Sequence, residues 1–451
     1  MNSSHNTPER GGPNWRAGRG VLSAARAWLW ATIDDPNRIA WLYIPVIAFL
    51  PLTFGSVATF FYFGACIYVG LIFLGRRIGW VWPSTISLGC FVTLGYFAVT
   101  MISPLAFPNK VAGWLDVGTA MHYLALTALV GALVQTPKVD VFDLFLNGVR
   151  AAAIVSFGHA LVQVFLFGHH RATAGMANAI PFGDTAMLAA GFAMVGFVRL
   201  SRPMRVFAVL ALICGIGGCF LSQTRGALLA LPLVMVVVAV QVWPAVQMRR
   251  WQAALMAAGL VAALAVFAVA LKVPERVDEV RQALQSETLD VERDPSTAHR
   301  VVLWTYGFEA FVDRPFFGYG SQNAVSEVRS RAARAGFEIP PYRHLHNEFM
   351  SVAVGRGVVG LLALVLLLVA PLVIVAQAPR DARQGDRWAF AVLLSGSYAV
   401  FGLTNLLFSH DQTNTVYATA YLVLLVAAHQ ARVGIQSFRR PFLGVPDTAQ
   451  R

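Results

Sequence analysis

Charge is what this chain has least of. Asp, Glu, Lys and Arg together make up 13% of its residues, about half the share carried by soluble domains. With 57% hydrophobic residues and a mean hydropathy of +0.60, the composition excludes a soluble globular protein and predicts a polytopic membrane one. Cysteine is scarce as well. Cys66, Cys90, Cys214 and Cys219 all sit in apolar runs, so neither a disulfide framework nor a metal cluster is expected. No Walker motif, dinucleotide fingerprint, zinc-ligand spacing or serine nucleophile elbow occurs. No Gly/Pro-rich linker divides the chain, and no internal repeat stands out. No cleavable signal peptide is read. Residues 1–20 are polar, and 21–33 are too short to span a bilayer and fit an interfacial helix.

What is there is apolar length. Runs near 38–54, 57–75, 78–101, 116–135, 144–168, 181–198, 206–221, 226–247, 251–271, 347–377, 388–407 and 415–431 predict an all-α protein with about 12 transmembrane helices. Counted this way, basic residues fall on one side. The termini and the connections after even-numbered spans hold Arg10, Arg16, Arg19, Arg76, Arg77, Lys138, Arg199, Arg202, Arg205, Arg249, Arg250, Arg380, Arg383, Arg387, Arg439 and Arg440. The short connections on the other side hold only Lys110, Arg171 and Arg225. Positive charge stays cytoplasmic, so both termini are inside and one long polar loop is outside. The chain then divides into an N-terminal tail with the interfacial helix (1–37), spans one to nine (38–272), the outer loop subdomain (273–345), spans ten to twelve (346–431) and a cytoplasmic tail (432–451). The loop is nearly balanced, with nine arginines and eleven acidic residues. The formal net charge of +12 is therefore mostly inner-leaflet charge and does not indicate nucleic-acid binding.

The loop is itself patterned. Val277, Val280 and Leu284 share a helical face within 275–286. Asp294 or Ser296 can cap a second helix running to Asp313, ahead of Pro315. Ser321 can cap a third, which Gly336 ends. Pro340-Pro341 then forces an extended approach to His346. Such helices would lie on the membrane surface and cover a cavity.

Three basic positions converge on that outer face. Arg225 occupies the tight turn Ser222-Gln223-Thr224-Arg225-Gly226, Arg300 begins the second loop helix, and His346 stands at the start of span ten. A planar guanidinium makes paired, charge-assisted hydrogen bonds to phosphate, which suits the diphosphate head of a lipid. A neutral imidazole accepts a proton from a hydroxyl, and a helix N-terminus with nearby arginines keeps it neutral. Alone, Arg225 would serve equally as a snorkelling anchor, Arg300 as a solvated helix residue and His346 as a cap; their shared height favours chemistry. Arg171, Arg343, His344 and Asn347 are further candidate substrate contacts, with headgroup anchoring the alternative for Arg171. Arg356, inside span ten about three turns below His346, calls for a partner or a cavity. His122 and His159 read as core histidines, and Ser409-His410-Asp411 as a solvated loop. Asp290, Glu292 and Asp294 alternate as cation ligands would, yet a capping role suits that turn better. No cofactor is expected, and metal-free chemistry is favoured because two arginines can supply the charge a metal otherwise gives a diphosphate.

SQTRGALLAL, HRVVLWTYGFEAFVDRPFFGYG and HLHNEFMSVAVGRGVVGLL follow in that order around the long loop, preceded by RATAGMANAIPFG. Over about residues 165–410 the chain resembles the bacterial O-antigen ligase and polymerase superfamily. The resemblance implies an inner-membrane glycosyltransferase with its long loop in the periplasm. Such enzymes take a glycan from undecaprenyl diphosphate and pass it to lipid A–core, to another lipid-linked glycan or to a protein hydroxyl. It implies that Arg225, Arg300 and His346 carry the reaction, which in ligases is metal-independent and inverts the anomeric centre. The expected partners are the lipid-linked donor, the lipid A–core acceptor and membrane lipids. Gly355-Arg356-Gly357 departs from the family pattern, where an acidic or apolar residue would precede the glycine. The rival expectations are a polymerase of the same superfamily, a transporter of lipid-linked sugars and a structural scaffold.

Overall fold

The computed structural model describes residues 36–75, 82–107, 111–136, 139–245, 295–342 and 344–434. The 21–33 helix, the ninth apolar run, the 275–286 helix, Asp290, Glu292, Asp294 and Arg343 lie outside the described residues. Every described element is helical. They are α1 (Pro36–Phe54), α2 (Val57–Leu74), α3 (Ser84–Ala106), α4 (Val111–Leu133), α5 (Val141–Leu161), α6 (Ala179–Ala193), α7 (Arg202–Ser222), α8 (Arg225–Leu228), α9 (Leu231–Val242), α10 (Pro295–Asp313), α11 (Ser321–Arg334), α12 (Glu348–Gln377), α13 (Gln384–Gly402) and α14 (Asp411–Arg432). The α7–α8 turn and the α10–α11 pair mark one end of the bundle, the outer end.

Among the described residues, 8 segments are long and apolar enough to cross a membrane: α1 to α5, α7, the continuous stretch Arg225–Ala245 and α12. The chain is a multi-pass all-α membrane protein. The remaining runs differ for physical reasons. α14 is buried nearly throughout, so it faces protein rather than lipid. It can therefore carry Gln412, Thr413, Asn414 and Thr415, since a polar side chain in a bundle interior finds partners. Tyr123 Oη donates to Asn414 Oδ1 (2.7 Å), Tyr398 Oη to the Thr413 carbonyl (2.7 Å) and Tyr417 Oη to the Leu367 carbonyl (2.7 Å). α6 has 15 residues, about 22 Å at ~1.5 Å per residue, short of a ~30 Å hydrocarbon core. The segment leading into it folds inward instead. Gln163, in a π-helical turn at Val162–Leu166, accepts from Thr173 N (2.9 Å) and Ala174 N (2.8 Å).

The second and third loop helices match their expected extents, the third with a different cap. α10 begins at Pro295, so Ser296 lies within the helix. Gly320 (φ +85°) precedes α11 and Ser321 is its first residue. The Ser321 amide donates to Ser103 Oγ (2.9 Å), which ties α11 to α3. Gly336 (φ +86°) follows α11 as expected.

α12 is one helix only by register, because Gly357 breaks it at φ +64°. The turn after α10 fills the break. Val358 N donates to the Pro315 carbonyl (2.7 Å), Val359 N to Phe316 O (3.3 Å), Tyr319 N to Val354 O (2.9 Å) and Gly320 N to Gly355 O (2.9 Å). A Cβ on Gly357 would overlap the Phe316 carbonyl, and one on Gly318 the Val354 carbonyl. The unusual Gly-Arg-Gly is thus a backbone docking site for the loop. Arg356 between the glycines is buried. It donates through Nε to Ser321 Oγ (3.1 Å) and through Nη1 to Thr100 Oγ1 (3.0 Å), with its guanidinium 5.8 Å from the Tyr96 ring centre. Arg356 fastens the loop pair to α3 from within.

Candidate active site at the outer end

The α7–α8 turn is built by its own residues and braced from outside. Gln223 adopts φ +53° and closes α7. Thr224 Oγ1 donates to the Ala179 carbonyl (2.9 Å) at the start of α6. Arg171 donates through Nε to the Ser222 carbonyl (2.8 Å) and through Nη2 to Thr224 Oγ1 (3.3 Å), and Gln223 Nε2 donates to His170 O (2.7 Å). The Arg171 fork is therefore spent largely on shaping the turn. Arg225 projects from it exposed, at the first position of α8, and its guanidinium has no hydrogen bond or ion pair among the described residues.

His346 is held by a second group. Trp304 on α10 donates to the Leu345 carbonyl (3.0 Å), and Leu345 is buried in a small core with Val302, Leu303, Val328 and Ile339. The next residue, His346, takes φ +52°, a left-handed conformation uncommon for a non-glycine and worth attention at a functional site. Its amide donates to His344 Nδ1 (3.3 Å). The two imidazoles lie 4.2 Å apart at 68°, and the Tyr342 ring stands edge-on to His346 at 5.0 Å. Tyr342 Oη is paired with His299 Nδ1 at 2.9 Å, next in sequence to Arg300. Burial first, then the charge of Arg300, holds the His346 imidazole down at about 4 from its ordinary 6.5. His344 is held at about 4 by burial, then by His346, His410 and Arg300. Both rings are neutral at neutral pH. His346 Nδ1 is buried with no hydrogen-bond partner, an unmet polar atom of the sort that marks a ligand or catalytic role.

The α13–α14 connection joins the two groups. Gly226 packs so closely on Thr404 that a Cβ there would overlap its hydroxyl. The adjacent Leu403 carbonyl accepts from Asn347 Nδ2 (3.3 Å). Asn347 also caps α12, its Oδ1 accepting from Met350 N (3.0 Å). Buried Glu348 accepts from Leu407 N (2.7 Å) and Phe408 N (3.2 Å). Arg225 and His346 thus flank one connection through two neighbouring residues of it, and the field of Arg300 reaches both His344 and His346.

Two expectations need correction. Ser409, His410 and Asp411 are half-buried rather than fully solvated, on a connection whose Asn405, Leu407 and Phe408 are buried, and His410 lies within electrostatic reach of His344. His159 is exposed, lining an open cleft of about 500 Å³ with Thr53, Phe54, Val155, Ala174 and Gly175, because α5 presents that turn away from the bundle. His122 is a core histidine as expected, paired with Thr119 O (2.7 Å) and Thr415 Oγ1 (2.9 Å). The four cysteines are free, three of them buried. Glu348 and Asn405, which shape the connection, escaped the sequence reading; a carboxylate beside the histidine pair was the one available signal. Among the described residues no three His, Cys, Asp or Glu side chains gather as metal ligands.

The comparisons with known proteins cover the same part of the chain. Residues 209–365 match the family model described as O-antigen ligase, a stretch that runs from α7 into α12 and contains Arg225, Arg300, His344, His346 and Asn347. A protein of Haemophilus influenzae (strain ATCC 51907 / DSM 11121 / KW20 / Rd), itself named "Uncharacterized protein", is 23% identical over 236 residues, covering 50% of this chain and 58% of its own length. The match therefore spans less than two thirds of that relative. Over the segment 209–365 the chain is thus similar to the O-antigen ligase family.

Proposed function

We propose that this chain is a glycosyltransferase of the bacterial inner membrane. It moves O-antigen polysaccharide from undecaprenyl diphosphate to a sugar hydroxyl of lipid A–core on the periplasmic side, with inversion and without a metal ion. The observation that carries the reading is His346: a neutral, half-buried imidazole with one unpartnered nitrogen, in the field of Arg300 and beside the connection that packs on the Arg225 turn.

The donor diphosphate lies against Arg225 and Arg300, which bind it through charge-assisted hydrogen bonds. The acceptor hydroxyl gives its proton to the His346 imidazole as its oxygen attacks the anomeric carbon. The bond from that carbon to the diphosphate oxygen breaks, and its electron pair leaves with undecaprenyl diphosphate. The arginines stabilise the charge growing there. The proton on His346 passes to solvent. Donor binding also prepares the base, because a diphosphate beside Arg300 offsets the charge that depresses the imidazole. His346 then becomes more basic once the donor is seated. Arg343, His344 and the free edge of Arg171 contact the sugar or phosphate groups, while Asn347 sets the height of His346. The loop helices exclude water, favouring transfer over hydrolysis.

The test is reconstitution of the purified chain with lipid-linked polysaccharide and lipid A–core, with and without chelator. Transfer that survives chelation and is lost in Arg225→Ala and His346→Ala supports the reading. Transfer by His346→Ala at the wild-type rate overturns the base, and loss on chelation overturns the metal-free mechanism. A polymerase is separated by the lipopolysaccharide of a deletion strain. A missing ligase leaves unmodified core while long lipid-linked chains accumulate; a missing polymerase leaves core bearing a single repeat.

A further inference from the structure

One edge of the loop pair is apolar and, among the described residues, exposed. Phe308 and Val312 stand one turn apart on α10 and are 59% and 56% exposed; in the turn that follows, Phe316 and Phe317 are 69% and 57% exposed. The opposite face of the same pair closes the small core of Val302, Leu303, Val328 and Leu345, so this edge is not a remnant of incomplete packing. A contiguous apolar patch of that kind marks an interaction surface.

Its height is fixed by backbone bonds. The carbonyls of Pro315 and Phe316 accept from Val358 and Val359, the residues that open the helical run after the Gly357 break. Val358–Gln377 is long enough, at ~1.5 Å per residue, to cross a ~30 Å hydrocarbon core. Its exposed residues Val358, Leu362, Val365, Leu366 and Val369 form the lipid-facing surface of a span. The phenylalanine edge therefore begins where that surface begins, and the two are continuous. Arg314, exposed between them, lays its guanidinium over the Tyr319 ring at 4.6 Å, the posture of a side chain whose stem is in an apolar layer and whose head is at its polar border.

We propose that the edge Phe308–Val312–Phe316–Phe317 is immersed in the outer leaflet of the bilayer. The α10–α11 pair is then an interfacial anchor as well as a cover. It is held to the lipid surface by this edge and to the bundle by Arg356 and the Gly357 docking site, so Arg300 is presented at a constant height above the lipid headgroups. The inference stands on exposure and backbone register and does not depend on the reaction proposed above.

The test uses the full chain in phosphatidylethanolamine–phosphatidylglycerol vesicles, with a nitroxide attached at Phe308→Cys, Val312→Cys, Phe316→Cys or Phe317→Cys. Leu366→Cys serves as the lipid reference, Ser330→Cys as the aqueous one, and the unsubstituted chain as background from the native thiols. Collision with molecular oxygen is compared with collision with a water-soluble nickel chelate. Immersion predicts that all four edge positions favour oxygen, as Leu366 does, while Ser330 favours nickel. Edge positions that behave like Ser330 overturn the proposal. So does low collision with both reagents, which means that protein, such as a second copy of the chain, covers the edge. Should Phe316→Cys or Phe317→Cys fail to fold, the two α10 positions carry the same expectation.

Discussion

The two ends of the bundle use arginine differently. At the inner end several guanidinium groups are occupied. Arg199 pairs with Asp386, Arg383 with Asp140 and Asp143, and Arg387 with Asp381. Buried Arg150 donates to the Ala193 and Val195 carbonyls (both 2.9 Å), closing the end of α6. At the outer end Arg171 is occupied in the same manner, but Arg225 beside it is not. Positive charge at the inner end serves as a fastening between connections. At the outer end the fastening falls to Arg171, and Arg225 has no such partner among the described residues. Residue type is thus a poor guide to role, and the state of the donors is a better one.

The largest effect expected from this contrast is at the outer end. His346→Ala should lower transfer by about 10²- to 10⁴-fold, as loss of a general base does, and Arg225→Ala by about 10²- to 10³-fold through lost leaving-group stabilisation. Thermal unfolding in detergent should be unchanged in both; a large drop in the unfolding temperature would move Arg225 into the fastening class. Arg383→Ala should behave inversely. It leaves Asp140 and Asp143 without their partner and should cost about 1–3 kcal/mol of stability, with transfer per folded molecule retained. Loss of transfer at unaltered stability would break the comparison.

Gly357→Ala tests the joint between the two ends. A Cβ there meets the Phe316 carbonyl and must adopt φ +64°, a left-handed conformation costing about 1–2 kcal/mol for an L-residue. A lower unfolding temperature and a partial loss of transfer are expected together, because Arg300 moves with the displaced turn. The smallest effect is in the pH profile. Since Arg300 helps to hold the His346 imidazole at about 4, kcat/KM of the free enzyme should hold as pH falls toward that value and drop below it. In Arg300→Gln the depressing charge is gone, protonation becomes easier, and the residual activity should fail at higher pH, closer to the ordinary 6.5. An unshifted acidic limb would remove Arg300 from the electrostatics of the site.

Much of the site was legible because its residues stand at punctuation. Arg225 lies in a polar turn between apolar runs, His346 at the border of one, and Arg300 at a helix start. The second and third loop helices were readable from Pro315 and Gly336. What was not legible is held by contacts across long sequence distances. Glu348 takes its meaning from Leu407 and Phe408, and Arg356 from Thr100 and Ser321. His159 was read as core because an apolar run does not say which turn of its helix faces the bundle. α14 was readable as a helix, yet its polar face acquires sense only at the centre of the molecule.

By itself the sequence determined the class and most of the described helices, since these follow from the cost of burying charge and unpaired backbone in hydrocarbon and act residue by residue. Only the tertiary structure decided which arginines are spent and which are available, and that a helix broken at Gly357 receives the loop. Those outcomes depend on where distant donors and acceptors meet, and hydrogen bonds form between atoms brought together in space, not between positions along a chain.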